Sequence, residues 1–281
     1  FFKIYKKGNP LKKIFYVVGN PVEKSLSPVI FKYWFKKYKL KHTYRKIKIR
    51  KKTFENDFIK LSTSPNFAGA NITIPFKERV LKIIKHKSKH AKEIKAVNCV
   101  YKKRNKLYGT NTDWYGFKKA LCYQNKNIKY KKCNIGILGY GGAAKALVYC
   151  FKKTKYKKIT IFVRKNPNNY KTKKNKNIYF EKIKSFNKKS KDINLLINTT
   201  ATSSPKKLNI NFNKLNKKCV VFDINYKKHN TPFIKEALNL NFRVNYGIYM
   251  LIFQAVPTFR HWFGFVPKVD KGLVDRCTKI K

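Results

Sequence analysis

Short apolar runs recur along the chain, each cut off by a polar or glycine-containing stop. Ile14 to Gly19 (Ile-Phe-Tyr-Val-Val-Gly) halts at Gly19-Asn20-Pro21, and comparable runs cover Thr43 to Ile49, Asn71 to Ile74, Ala96 to Val100, Asn134 to Leu138, Lys158 to Val163, Leu195 to Thr200 and Cys219 to Asp223. Runs of this length bounded by turn residues predict buried strands. Between them the spacing changes. Val29, Ile30, Tyr33, Trp34 and Leu40 recur at helical intervals, Phe54 to Leu61 forms another helix, and a third begins near Trp114. Leu147 and Val148 continue a helix that follows a glycine cluster, and Gly247 to Trp262 is helical with few charges. Strands alternating with helices predict βαβ units and an α/β fold on mainly parallel sheets. A chain of 281 residues holds two such domains. Lys129 to Cys133 is a polar connector between them, and Asn187 to Lys191 and Ser203 to Lys218 read as loops.

Hydrophobic residues make up 43% of the chain, too many for a disordered polymer. No run of about 18 apolar residues is present, so no membrane partner is expected. The opening Phe1-Phe2-Lys3-Ile4-Tyr5-Lys6-Lys7 lacks the order of a secretory signal. Cys99, Cys122, Cys133, Cys150, Cys219 and Cys277 lie singly, which argues against zinc and predicts a reducing, cytoplasmic setting.

The formal net charge of +56 would ordinarily point to nucleic acid or an anionic surface. Here lysine is spread through every segment alongside abundant asparagine and isoleucine, the pattern of AT-rich codons. No basic motif interleaved with aromatic platforms stands out, so no specific nucleic acid is expected. The charge still has consequences. Lysines repel one another, so the thermal midpoint rises with added salt, and RNA retained at low salt is released as ionic strength approaches the physiological range. A salt titration reading melting temperature and RNA retention checks both; RNA binding that survives physiological salt would point to a selected site.

The densest candidate chemistry is Asn71-Ile72-Thr73-Ile74-Pro75-Phe76-Lys77. The strand stops because Pro75 has no N–H for the ladder. Thr73 and Lys77 therefore fall at a strand's end, where open α/β sheets place ligands. Among 68 lysines and arginines a single lysine is by itself an ordinary surface charge, so the neighbours must single Lys77 out. Ser25 and Ser27 present two hydroxyls suited to a carboxylate or polyol, although Ser27 is also placed as an N-cap ahead of Pro28. Asn98 interrupts an apolar run, either as a loop or bulge residue or as a buried amide facing a ligand. Asp113 heads a helix, where a capping carboxylate is the alternative role. Gln254 is an amide within an apolar helix and needs a partner. Gly139-Tyr140-Gly141-Gly142-Ala143-Ala144 satisfies G-x-G-x-x-G/A between a strand and a helix, the phosphate cradle of a dinucleotide. The next strand ends in Arg164-Lys165, where an NAD site would carry an acid; two cations favour the 2′-phosphate of NADP.

In order and spacing, Gly19-Asn20-Pro21 with Ser25-Leu26-Ser27-Pro28, Asn71 to Lys77, Ala96-Val97-Asn98, Asn111-Thr112-Asp113, the Gly139 loop, Ile197-Asn198, Asp223 through Tyr226 and Gly247 to Gln254 resemble shikimate dehydrogenase, from about Ile14 to Pro267. The resemblance implies a substrate domain, an open and mainly parallel α/β unit formed by 1–112 and completed by 248–281. It implies a Rossmann-type NADP-binding domain at 113–247. The implied reaction is NADPH-dependent reduction of 3-dehydroshikimate to shikimate, on the route to chorismate and the aromatic amino acids, without a metal. Lys77 and Asp113 would be the catalytic pair, and Ser25, Ser27, Thr73, Asn98, Asp113, Tyr226 and Gln254 would bind substrate. Gly139, Tyr140, Gly141, Gly142, Ala143, Arg164, Lys165, Asn198, Ile224 and Gly247 would bind the cofactor. Family members occur as monomers and homodimers. The chain departs from the pattern at Tyr140, where alanine is usual, at Val163-Arg164-Lys165, where Asn-Arg-Thr is common, and at Tyr249, a position often small or acidic. These touch the cofactor grip and leave Lys77, Asp113 and the serines in place. The related quinate/shikimate dehydrogenases accept quinate and often NAD; Arg164-Lys165 argues against NAD preference. A polyanion-binding protein retaining the fold, the reading motivated by charge, predicts dispensable Lys77 and Asp113.

Overall fold

The computed structural model describes residues 12–124, 132–154, 156–170, 176–226 and 228–279. The opening Phe1 to Lys7 and residues 129–131 of the connector lie outside the described residues. The chain divides into two compact units, Phe1–Thr112 with Ala255–Leu273, and Asp113–Gln254 with Val274–Lys281.

The first unit runs β1 (Ile14–Gly19), α1 (Ser27–Lys37), β2 (Thr43–Lys48), α2 (Phe54–Thr63), β3 (Phe67–Ile72), α3 (Lys77–Ile83), β4 (His86–Lys87), α4 (Lys89–Ile94), β5 (Cys99–Lys103) and β6 (Lys106–Thr110). Its sheet has the order β2-β1-β3-β5-β6-β4. β1 is parallel to β2 and to β3, as the alternation predicts, while β3–β5 and β5–β6 are antiparallel. The sheet is therefore mixed but still mainly parallel: β4 is parallel to β6, and β5 is the one reversed strand among the six. The reversal is made by a two-residue turn, Arg104-Asn105, with φ of 48° and 57° at its centre. Such turns match the strand twist but usually advertise themselves with glycine, and none is present here. Edge strand β2 exposes Arg45, Lys46 and Lys48, charges that discourage further strand pairing. The core is aromatic. Phe15 and Phe31 lie 4.5 and 4.7 Å from the Trp262 ring, and Trp34 lies 5.3 Å from Phe259, all within this unit.

His42 sits among Phe15, Phe35 and Phe263, with Nδ1 buried and without a hydrogen-bond partner. Burial and then Lys13 lower its pKa, and burial, Arg260 and His90 lower that of His261. Both are neutral in the fold and protonate more readily once unfolded. Stability is therefore full above about pH 6.5 and declines as pH falls through that value toward the folded pKa. Glu23 and Asp270, held down at about 2, release their contribution only at much lower pH. Urea unfolding between about pH 5 and 7 should show stability rising with pH, with a shallower slope in His42→Phe. An unchanged slope would rule His42 out as its source.

The second unit runs α5 (Asp113–Gln124), β7 (Asn134–Leu138), α6 (Gly142–Lys152), β8 (Lys158–Val163), β9 (Ile178–Lys182), α7 (Phe186–Lys189), β10 (Leu195–Asn198), α8 (Pro205–Leu208), β11 (Val220–Asp223), α9 (Pro232–Asn239) and β12 (Arg243–Tyr246). The helices α10 (Gly247–Phe263) and α11 (Lys271–Thr278) contribute residues to both units. The sheet order is β12-β11-β10-β7-β8-β9, every neighbouring pair parallel. In sequence rank this is the doubly wound dinucleotide-binding order, reversing between β7 and β10. Apolar clusters cover it, one built on Ile135, Ile137, Leu147 and Phe222, another on Leu138, Phe162, Leu196 and Phe212. The one-turn helices α7 and α8 correct the loops expected there. Four residues are too few to display a helical period, and α8 is set by Ser204, whose Oγ accepts the Lys207 N–H at 3.3 Å ahead of Pro205. No described helix is long and apolar enough to cross a membrane.

Candidate active site

In the first unit the chain turns outward from β1 to β2 on one side and reaches β3 on the other, so the strand order reverses between β1 and β3. The carboxyl ends of these two strands carry the candidate residues. Pairing continues past the strand ends: Thr73 N–H donates to Val18 O and Asn20 N–H to Ile74 O, each at 2.9 Å. The loop after β1 presents Ser25 and Ser27, both buried. Ser25 Oγ accepts the Ser27 N–H and donates to Ser27 Oγ, both at 3.3 Å. The capping role expected of Ser27 is not seen. Leu26 is the cap, without a side-chain bond, and Ser27 is the first helical residue with its hydroxyl turned to Ser25.

After β3, Phe76 is fully buried and stacks on Phe54 at 4.0 Å, pinning the turn that begins α3. Lys77 is the first residue of α3 and half-buried. Its carbonyl accepts the Val97 N–H at 2.8 Å, which fixes its backbone beside the Val97-Asn98 stretch. The antiparallel run of β5 explains this proximity. Because β5 starts where β3 ends, Asn98 O accepts the Ile72 N–H at 2.8 Å and Asn98 N–H donates to Thr110 O at 3.1 Å. The buried Asn98 amide binds Thr112 twice, Oδ1 accepting its N–H at 2.7 Å and Nδ2 donating to its Oγ1 at 2.9 Å. Thr112 Oγ1 lies 3.2 Å from Thr258 Oγ1. Thr258 carries no apolar signal and no motif, so sequence reasoning passed over it, while Thr112 stands in the Asn111-Thr112-Asp113 motif without a role assigned to it. Ser25, Ser27, Thr73, Lys77 and Asn98 are thus gathered at one end of this sheet.

Asp113 and Gln254 belong to the second unit. Asp113 is the buried first residue of α5, and Gln254 is buried with Nε2 donating to Leu251 O at 2.9 Å. α5 packs on α10 through Gly116, where a Cβ would stand 2.6 Å from that of Gln254. Asp113, three residues earlier, shares that face of α5.

The glycine loop follows β7 at the sheet's reversal. Gly139 has φ of +89°, a conformation other residues rarely adopt, and its N–H donates to Phe162 O at 2.8 Å. Gly141 precedes α6 without a side-chain cap, and a Cβ placed there meets nothing within 4 Å. Gly142 and Ala143 are the first helical residues, so the uncapped N–H groups of the first turn follow the glycine loop directly, the arrangement that suits a phosphate. Tyr140 packs edge-on against Tyr170 at 5.7 Å and Phe180 at 4.9 Å. Arg164 and Lys165 follow β8 immediately and are exposed. Asn198 ends β10 fully buried. Its Nδ2 donates to Thr202 O and Asp223 Oδ1, and its Oδ1 accepts from Thr200 N–H and Oγ1. Its amide is thus committed to shaping the loop. Ile224 N–H donates to Asn198 O at 3.1 Å, and Tyr226 lines a shallow pocket with Asn225, His229, Tyr246 and Gly247.

A family model for the shikimate dehydrogenase substrate binding domain matches residues 17–100. The shikimate dehydrogenase (NADP(+)) of Pelagibacter ubique is 34% identical over 268 residues, spanning 94% of this chain and 98% of that protein. The chain belongs to the shikimate dehydrogenase family. The shikimate dehydrogenase of Aquifex aeolicus superimposes with a TM-score of 0.83 at 28% identity, over 97% of this chain and all of the other. That of Thermus thermophilus, solved in complex with shikimate, gives 0.80 at 25% identity over 94% and 97% of the two chains.

Proposed function

We propose that the chain is an NADP-dependent shikimate dehydrogenase that interconverts 3-dehydroshikimate and shikimate. The observation that carries the reading is the gathering of Ser25, Ser27, Thr73, Lys77 and Asn98 at one sheet end, in a chain that also holds a fitted glycine loop. Unit one would supply Ser25, Ser27, Thr73, Lys77 and Asn98 to the substrate, and unit two Asp113, Tyr226 and Gln254 together with the cofactor residues. The paired hydroxyls of Ser25 and Ser27 suit the substrate carboxylate, and Thr73, Asn98, Tyr226 and Gln254 its hydroxyls. The Gly139 to Ala143 loop with Arg164, Lys165, Ile224 and Gly247, and the loop that the buried Asn198 shapes, would hold NADP, which would supply or take the hydride. Reduction builds negative charge on the carbonyl oxygen, and the Lys77 ammonium stabilises it and delivers its proton there. Asp113, the other member of the catalytic pair that the resemblance implies, would accept from a neighbouring substrate hydroxyl. In the reverse direction Lys77 takes the hydroxyl proton as the hydride leaves.

Arg164-Lys165, with no acid at the strand end, supports the 2′-phosphate of NADP over NAD. Arg164→Ala should raise the KM for NADP about 10–100-fold, the effect of losing one charge-assisted hydrogen bond, with little change for NAD. Equal effects on both cofactors would place Arg164 away from the phosphate. The central assay follows nicotinamide absorbance with shikimate or quinate and NADP or NAD in all four pairings. Turnover of shikimate with NADP alone supports this reading. Turnover of quinate or use of NAD would move the chain to the quinate/shikimate type, and silence throughout would sink it. The family also includes homodimers, so sedimentation of the purified chain should give a monomer or a dimer. The six cysteines are not joined in disulfides, which supports a reducing, cytoplasmic setting.

A further inference from the structure

Asp223, at the end of β11, takes no part in the chemistry above, yet it is fully buried and donors converge on it. Oδ1 accepts from Asn198 Nδ2 at 3.1 Å, Asn225 N–H at 3.1 Å and Asn225 Nδ2 at 2.8 Å. Oδ2 accepts from Thr231 Oγ1 at 2.7 Å, and Ser203 adds its hydroxyl. Thr231 Oγ1 already accepts the Ile234 N–H at 3.2 Å, so its own proton is directed to Asp223. An ionised carboxylate, acceptor on both oxygens, satisfies this set. Burial pushes the carboxyl pKa up, and the bonds from Thr231, Ser203 and Asn225 oppose that rise.

The donors come from different loops. Asn198 also carries Thr200 and Thr202, and Asn225 Nδ2 reaches Thr200 O at 3.0 Å. One anion therefore joins the loop after β10 to the loop after β11. Those loops bear Asn198, Ile224 and Tyr226. In this sheet order a dinucleotide lies across the reversal between β7 and β10. Its adenosine end falls on the β8 side with Arg164 and Lys165, so its other half falls over β10 and β11.

We propose that Asp223 is a positioning residue for the nicotinamide half of NADP, holding the two loops in the shape that half binds. The proposal rests on the reading of the chain as an NADP-dependent shikimate dehydrogenase. It predicts a selective defect. In Asp223→Ala, NADP binding measured by calorimetry weakens about 10–100-fold, the scale of several buried donors losing their acceptor, and kcat falls with it. Binding of adenosine 2′,5′-bisphosphate, which lacks the nicotinamide half, stays within about twofold, since its contacts lie on the far side of the reversal. Asp223→Asn keeps an acceptor oxygen for Asn198 and Asn225, so it recovers part of the loss and carries the test if the alanine variant does not fold. Equal weakening of both ligands overturns the proposal in favour of a purely structural role, and unchanged NADP binding overturns it outright. Wild-type protein that binds neither ligand would remove the NADP reading, and this proposal with it.

Discussion

Lys77→Ala lowers kcat by at least about 100-fold, the lower end of the 10²–10⁴ range for a positioned acid–base group, while NADP binding is unchanged. The size of the effect follows from where charge moves. The carbonyl oxygen gains a full negative charge as hydride arrives, and a half-buried ammonium interacts with it more strongly than water would. The variant should fold. The turn before Lys77 is held by the buried Phe76, and the bond from Val97 goes to the Lys77 carbonyl, which alanine keeps. Arginine should not restore turnover, because guanidinium does not release its proton near neutral pH. Steady-state kinetics alongside cofactor titration decide the matter. Near-normal turnover in the alanine variant would remove Lys77 from the chemistry, and loss of cofactor binding would show that the substitution disturbs more than the proton donor.

Much of this site is legible from local signals. β1, β3 and β7 are buried parallel strands; β1 ends at Gly19, β7 just before Gly139, and β3, which starts earlier than expected at Phe67, ends at Ile72 shortly before Pro75, so Thr73, Lys77 and Gly139 fall close to where the apolar runs stop. What could not be read is set by partners distant in the chain. Asn98 is placed by the antiparallel direction of β5 against β3, set by a long connection from residue 73 to 98, and by the return of β6 through the Arg104-Asn105 turn, whose residues give only half of the usual signature. Asp223 reads as the polar end of a strand; its convergence of donors exists only once two loops meet. Ser27 illustrates the opposite failure. A cap was the natural reading of Ser-Pro before a helix, and a second hydroxyl two residues away took the bond instead. Asn198 lies between these cases: its place at the strand end was legible, while the commitment of its amide to Thr200, Thr202 and Asp223 was not.

Gly247→Ala should lower kcat/KM for NADP about 100-fold, the scale expected when reacting groups are displaced by about 1 Å. The glycine is required by space. Its φ is not among the positive values, yet a Cβ there would lie 2.3 Å from Ile224 O, 2.4 Å from Ile224 C and 2.7 Å from Asp223 O. Every one of these atoms is backbone, so no side chain can swing aside. The β11–β12 ladder, which pairs Asp223 with Tyr246, must open to admit the methyl group, carrying Ile224 with it. Overpacking of this kind costs about 1–3 kcal/mol, which lowers the melting temperature by several degrees in a chain of this size. The two readouts separate cause from consequence. A fall in melting temperature with normal kcat/KM would mean that the strand end yields without moving the cofactor contacts. A fall in kcat/KM that persists well below the melting transition would tie the close approach of Gly247 to Ile224 to the binding of the nicotinamide half.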